Sequence, residues 1–172
     1  MTSDARGGGR ILGSLGSAGG KGIVRMEDRF DSDIDDVWSA LTDPSRLARW
    51  YGEVEGDLRL GSEYRARLFA SGWEGTGRVE ACEPPRRLLV LTKQAKQLDE
   101  HAIEATLAAD GDQTILVIQV QGMPLDKIAF YGAGWQIHAE NLAAYLAGRE
   151  GNSEARRDEL VPPYQDLAAN IS

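Results

Sequence analysis

The feature that most constrains this chain is a change of hydrophobic period. Between residues 53 and 122 apolar side chains recur at alternate positions; beyond Met123-Pro124 they recur at three- and four-residue steps as far as Gly148. A period of two places alternate residues on one face of a strand, whereas steps of three and four draw a stripe along a helix. The chain must therefore build several strands first and lay one long helix against them afterwards.

The strand-like region divides at its turn residues into 53–59, 62–70, 73–82, 87–94, 100–109 and 113–122. Tyr64, Ala66 and Leu68 share one side of the second segment, and Trp73, Gly75, Gly77, Val79 and Ala81 one side of the third. "EPPRR" interrupts pairing, because proline donates no ladder hydrogen bond. Asp110-Gly111-Asp112 is a hairpin signal. Ahead of these lies a strand over 23–31, followed by two short helices. Ser32 or Asp33 caps the first, which buries Ile34, Val37, Trp38 and Leu41; Asp43 caps the second, with Pro44 at its first position and Leu47 and Trp50 inward. The long helix opens near Asp126 and stops at Gly148, a residue type that favours helix ends. Grouped strands with a terminal helix predict an α+β domain over 23–148, with a curved antiparallel sheet of six to seven strands.

Residues 1–22 are mostly Gly, Ser and Ala. Such a segment buries little apolar surface to offset its ordering entropy, and predicts a flexible leader. "GSAGGKG" within it fails as a phosphate loop, because Leu15 stands where the first glycine is required and Gly22 follows Lys21. Residues 149–172 are charged and then carry "VPPYQDL", which predicts a loosely attached tail with at most a short helical turn.

Of the 172 residues, 42% are hydrophobic, enough for one sizeable core. A net charge of -8 argues against nucleic acid, whose binding needs clustered Lys and Arg, and against attraction to anionic lipid. Cys82 is the single cysteine, so neither an internal disulfide nor a cysteine metal site can form. A cytoplasmic location follows as the expectation. No apolar run approaches the roughly 20 residues of a membrane span, so no membrane insertion is expected.

Several stretches together carry a resemblance: "FDSDIDDVWSALTDPSRLARWYG", "GTGRVEACEPPRRLLVLT" and "GWQIHAENLAAYLAG". They resemble the Hsp90 ATPase activator homologue (AHSA1-like) family of the START/Bet v 1-like (SRPBCC) superfamily of polyketide cyclases and lipid-transfer proteins. The resemblance covers residues 23–148. It implies a helix-grip fold, a curved sheet gripping a long C-terminal helix, with an internal cavity for a small hydrophobic or amphipathic molecule. It also implies, as a second kind of partner, a chaperone. It implies no cofactor.

The candidate wall residues of such a cavity are Tyr64, Trp73, His101, Tyr131, Trp135 and His138. His138 lies on the apolar stripe, three residues after Trp135 and four before Leu142. It is a core histidine bonded to a backbone carbonyl, a histidine at the stripe's wetter edge, or a polar contact to a guest. His101 shares a side with Ile103 and Leu107 but starts its strand, where fraying would expose it. The aromatic residues serve either as core or as a shelf, each tyrosine hydroxyl and indole N–H seeking a partner when buried. Lys93, at a strand end, reads as solvated, Cys82 as following Ala81 onto the outer face, and the glycines of 73–82 as permitting either a cavity or a filled bend. Two histidines are a poor metal site, because zinc takes three or four protein ligands. No catalytic constellation is recognisable. Were the chain a cyclase, aromatase or hydratase, His138 or His101 would be its acid/base, since imidazole titrates near neutrality.

Overall fold

The computed structural model describes residues 11–70, 72–94, 100–151 and 155–171. Eight strands, β1 (Gly13–Ala18), β2 (Lys21–Phe30), β3 (Gly52–Gly56), β4 (Glu63–Leu68), β5 (Glu74–Glu83), β6 (Arg87–Lys93), β7 (His101–Asp110) and β8 (Gln113–Met123), form one sheet. Their order is β1-β2-β8-β7-β6-β5-β4-β3, and every neighbouring pair is antiparallel. Helices α1 (Ile34–Thr42) and α2 (Pro44–Trp50) join β2 to β3. After a short 3-10 turn at Leu125–Lys127 come α3 (Ile128–Leu146) and α4 (Ala155–Ala168). This is the helix-grip α+β architecture, one strand richer than expected.

Local chemistry sets the helix ends. Asp33 accepts from the Asp36 amide and Asp43 from the Ser45 amide, supplying acceptors for donors that lack intrahelical partners. Gly148 takes a positive φ of 73° after α3, where the Arg149 amide turns back to Ala144 O. Across the three helices, Arg46 donates through Nε to the Tyr145 hydroxyl (2.9 Å) and through Nη1 to Asp36 (2.9 Å). That side chain fixes α1 and α2 against α3.

The flexible leader and loose tail are corrected at their described parts. Residues 1–10 of the leader and 152–154 and 172 of the tail lie outside the described residues. Gly19-Gly20 is a two-residue hairpin turn, with φ of 60° and 80°, and pairs Gly13–Ala18 with β2. The strand is poor in side chains, but its backbone is paired and Leu12 and Leu15 pack on the core. The tail is a helix of 14 residues in spite of Pro162 and Pro163. Arg156, Leu160 and Tyr164, four residues apart, form its buried face, and that packing outweighs the helix-breaking tendency of proline.

A polar clasp holds both added elements to α3. Gln136 is fully buried; its Oε1 accepts from the Leu12 amide (3.0 Å) and from the Tyr164 hydroxyl (2.5 Å). The same hydroxyl accepts from the Gly13 amide (3.1 Å). Gln136 Nε2 donates to Glu140 (2.9 Å), whose carboxylate pairs with Arg156. Polar atoms this deeply buried need partners, and here each element supplies one to the others.

Between β5 and β6 the register shifts by one residue between Val79 and Ala81. Such a bulge sends the following side chains to the opposite faces. Cys82 therefore packs, half-buried, beside Val79, Leu88 and Val90, which corrects its expected outer placement. Burial raises its thiol pKa, the direction that makes thiolate scarcer.

Candidate functional site

Helix α3 makes its sheet contacts with β2 and β1, and α4 covers another of its sides. Opposite the β4–β7 side of the sheet it leaves a cavity of about 420 Å³. Trp73, His101, Tyr131, Trp135 and His138 all line it. Tyr64 does not; it lines a smaller, almost wholly apolar hollow of about 80 Å³ deeper between the sheet and α2. Tyr51, Ile103 and Trp135 border both spaces and form the partition.

The wall is an aromatic cluster built by helix spacing and by one residue from outside α3. His138 lies one turn from Trp135, their ring centroids 5.1 Å apart, and Tyr51, at the end of α2, meets the imidazole in a tilted contact at 4.8 Å. On the other side, Tyr131 meets the edge of the His101 ring at 5.5 Å. His101 reaches this place because β7 pairs it with Thr92 of β6, and Thr92 also points inward. Lys93, the next residue, is exposed.

Glycines seat two of the rings rather than emptying the interior. A Cβ at Gly75 would lie 2.6 Å from the Trp73 ring, and one at Gly77 2.3 Å from the Tyr64 ring. Each aromatic side chain lies over a bare stretch of β5. Gly75 thus lets the Trp73 ring lie close to the sheet as one wall of the cavity, while α3 packs mainly on the β1–β2 side.

His138 is 4% exposed, and its Nδ1 has no hydrogen-bond partner among the described residues. It is thus not the carbonyl-bonded core histidine of the first alternative at that atom. Burial, and then the nearby positive charge of Arg157, push its pKa down to about 4. The imidazole is neutral at pH 7. Burial also raises the pKa of Tyr51, Tyr64 and Tyr131, so all three phenols stay protonated there.

Among the described residues two charged groups reach the cavity, Lys127 and Arg157, and no Asp or Glu lines it. Lys127 precedes α3, and Arg157, on α4, donates to Ala70 O at 3.3 Å. Phe130, 51% exposed, stands at the edge. Neither Tyr51 nor Arg157 is recognisable from the chain alone. Tyr51 follows a packing tryptophan in a helix end, and Arg157 belongs to a segment that reads as coil. The one available signal for Tyr51 is the Trp50-Tyr51 pair, two large rings that a short helix cannot both bury beneath itself.

Among the described residues no group of three or more His, Cys, Asp or Glu side chains is arranged to hold a metal, and no helix is long and apolar enough to cross a membrane. Glu104, on the face away from His101, pairs with Arg87 at 2.6 Å.

The architecture recurs in solved structures. CalU16 from Micromonospora echinospora is 26% identical with a TM-score of 0.76, over 92% of this chain and 98% of that one. DynU16, from the dynemicin biosynthetic locus, is 28% identical with a TM-score of 0.69, over 77% of this chain and 50% of its own. The protein EF2215 from Enterococcus faecalis shares the fold at 16% identity, with a TM-score of 0.73 over 93% and 92% of the two chains. No curated protein sequence matches significantly. The model of the Activator of Hsp90 ATPase homolog 1-like family matches residues 31–147, from the first helix to the end of α3, and the chain belongs to that family.

Proposed function

We propose that the protein binds a small hydrophobic or amphipathic molecule in the cavity between α3 and the sheet. The observation that carries this reading is the cavity itself: about 420 Å³, walled by Tyr51, Trp73, Tyr131 and Trp135. Small-molecule sites are typically concave spaces of roughly 300–1,000 Å³, largely apolar and aromatic, with a few polar groups that orient the guest. Here those groups are Thr92, Gln94, His101 and His138. Burial of the guest's apolar body supplies the affinity, at about 25 cal/mol per Å² removed from water.

Binding fits this wall better than acid/base turnover. A general base works best with a pKa near the operating pH, and His138 is held near 4. Among the described residues no carboxylate lines the cavity to complement it. One similar protein belongs to the dynemicin biosynthetic locus, which puts biosynthetic small molecules among the first guests to try. The family description also names an Hsp90 activator. Stimulation of Hsp90 ATPase by the purified chain would establish that alternative.

Thermal-shift and native mass spectrometry against N-phenyl-1-naphthylamine, long-chain alcohols and aromatic polyketides test the reading. A guest retained at one per chain, with a melting temperature that rises with its concentration, is the expected outcome. Uniform failure to bind defeats it.

A further inference from the structure

We infer that the guest is an organic acid: an apolar or aromatic body carrying one anionic group, which Arg157 and Lys127 receive at the edge of the cavity. This rests on the binding reading above and narrows its chemical class. The first ground is the sign of the wall. The chain carries 27 acidic against 19 basic side chains, yet among the described residues the charged side chains lining the cavity are Lys127 and Arg157.

The second ground is pairing. Several arginines are answered by carboxylates: Arg25 by Glu27, Arg29 by Asp110, Arg46 by Asp36 and Arg87 by Glu104. Among the described residues Arg49, Arg65, Arg86 and Arg149 are not, but none of these four lines the cavity. Arg156, adjacent to Arg157, is held by both Glu140 and Glu159. Arg157 has no carboxylate partner among the described residues; it donates through Nη2 to the Ala70 carbonyl. A guanidinium offers five donors in a planar fork that matches a carboxylate or sulfonate, so most of that capacity remains for a guest.

The third ground is geometry. The Arg157 guanidinium lies 3.8 Å from where a Cβ on Gly134 would stand, so it sits directly against α3 where the helix is bare. On that helix one turn further on lies His138, whose buried Nδ1 is unpartnered. The anion-reading arginine comes from α4, beyond the residues 31–147 that match the family model. Selectivity for charge would thus be shared between Lys127, inside the family's common part, and Arg157, outside it.

A matched dye pair tests the inference on the intact chain. 8-Anilinonaphthalene-1-sulfonate and N-phenyl-1-naphthylamine share an apolar body and differ in the sulfonate. Fluorescence titrations should show the anion binding about tenfold more tightly at low salt, each dye displacing the other. Raising NaCl to 0.5 M should cut that ratio severalfold, since a partly exposed ion pair is screened. The double variant Arg157→Gln/Lys127→Gln should bring the ratio near one, and Arg157→Lys should retain most of it. A purely structural strap between α4 and Ala70 would not move the ratio of two dyes. If both dyes bind the unmodified protein with equal affinity and equal salt dependence, the anion inference is overturned and the cavity reading stands. If neither binds, the cavity reading falls and takes the inference with it. Should the double variant fail to fold, the salt dependence of the unmodified protein decides alone.

Discussion

At the scale of single residues, His138 and the glycines under the aromatic rings make the sharpest statements. His138 has an ordinary pKa of 6.5 in the unfolded chain and about 4 when folded. Between those values the unfolded state binds more protons, so stability falls as pH drops through that window. The loss attributable to this group is on the order of 2–3 kcal/mol between pH 7 and pH 4.5. Urea denaturation at the two pH values should show it in the unmodified protein and not in His138→Gln; equal pH dependence in both would overturn the assignment. Gly77→Ala is expected to cost about 1–3 kcal/mol by overpacking, because its Cβ would meet the Tyr64 ring. Gly16→Ala, which meets nothing within 4 Å, serves as the neutral control in the same melts. Part of this detail was legible in the chain: helical spacing put His138 on the face of Trp135, and alternation along 100–109 put His101 on the side of Ile103 and Leu107, while its place at the strand start left exposure open. Cys82 was not, because one extra residue in β5 reverses every later side chain and leaves no mark in the alternation of small residues.

At the scale of elements, the question is what β1 and α4 contribute to a fold whose family match spans residues 31–147. They sheathe α3. Tyr164 is fully buried against Met26 and Gly132, and its hydroxyl joins Gly13 of β1 to Gln136 of α3. Tyr164→Phe keeps the ring and removes the hydroxyl, leaving the Gly13 amide and one Gln136 acceptor position unanswered. A cost of about 1–3 kcal/mol is expected from unsatisfied buried groups, read as a lower denaturation midpoint with an unchanged m-value. Amide exchange should accelerate most in residues 13–18, the strand that depends on that bond. Uniform acceleration across the sheet would refute the clasp as a local device. Neither element was readable beforehand, for different reasons. The side chains of Gly13–Ala18 say little, and the strand is specified by its Gly19-Gly20 turn and by the partner it pairs with. In α4 the two prolines argue for coil, whereas the four-residue spacing of Arg156, Leu160 and Tyr164 argues for a buried face. Only the presence of α3 decides between them.

At the scale of the whole molecule, the sheet and its long helix could have closed into a solid core, and the principal core does continue beneath α1, α2 and the β1–β2 side of α3. The remaining gap opposite β4–β7 was anticipated from the family resemblance, but its location follows from where α4 and β1 hold the helix, which no periodicity records. Gly134 offers a direct way to ask whether that gap is what the protein uses. It lines the cavity, and a Cβ there would meet, among the described residues, only the end of Arg157, at ordinary contact distance. Leucine in a helix interior is favoured over glycine by roughly 0.5–1 kcal/mol. Gly134→Leu should therefore fold at least as well as the unmodified chain, with a melting temperature higher by about 2–4 °C for a domain of this size. Its side chain would occupy the space between α3 and the sheet. Affinity for N-phenyl-1-naphthylamine should then fall at least about tenfold, the size expected when a guest's contacts with one wall are lost. Stability gained together with binding lost separates occupancy of the cavity from damage to the fold. A variant that is more stable and binds the dye as before would place the guest somewhere other than under α3.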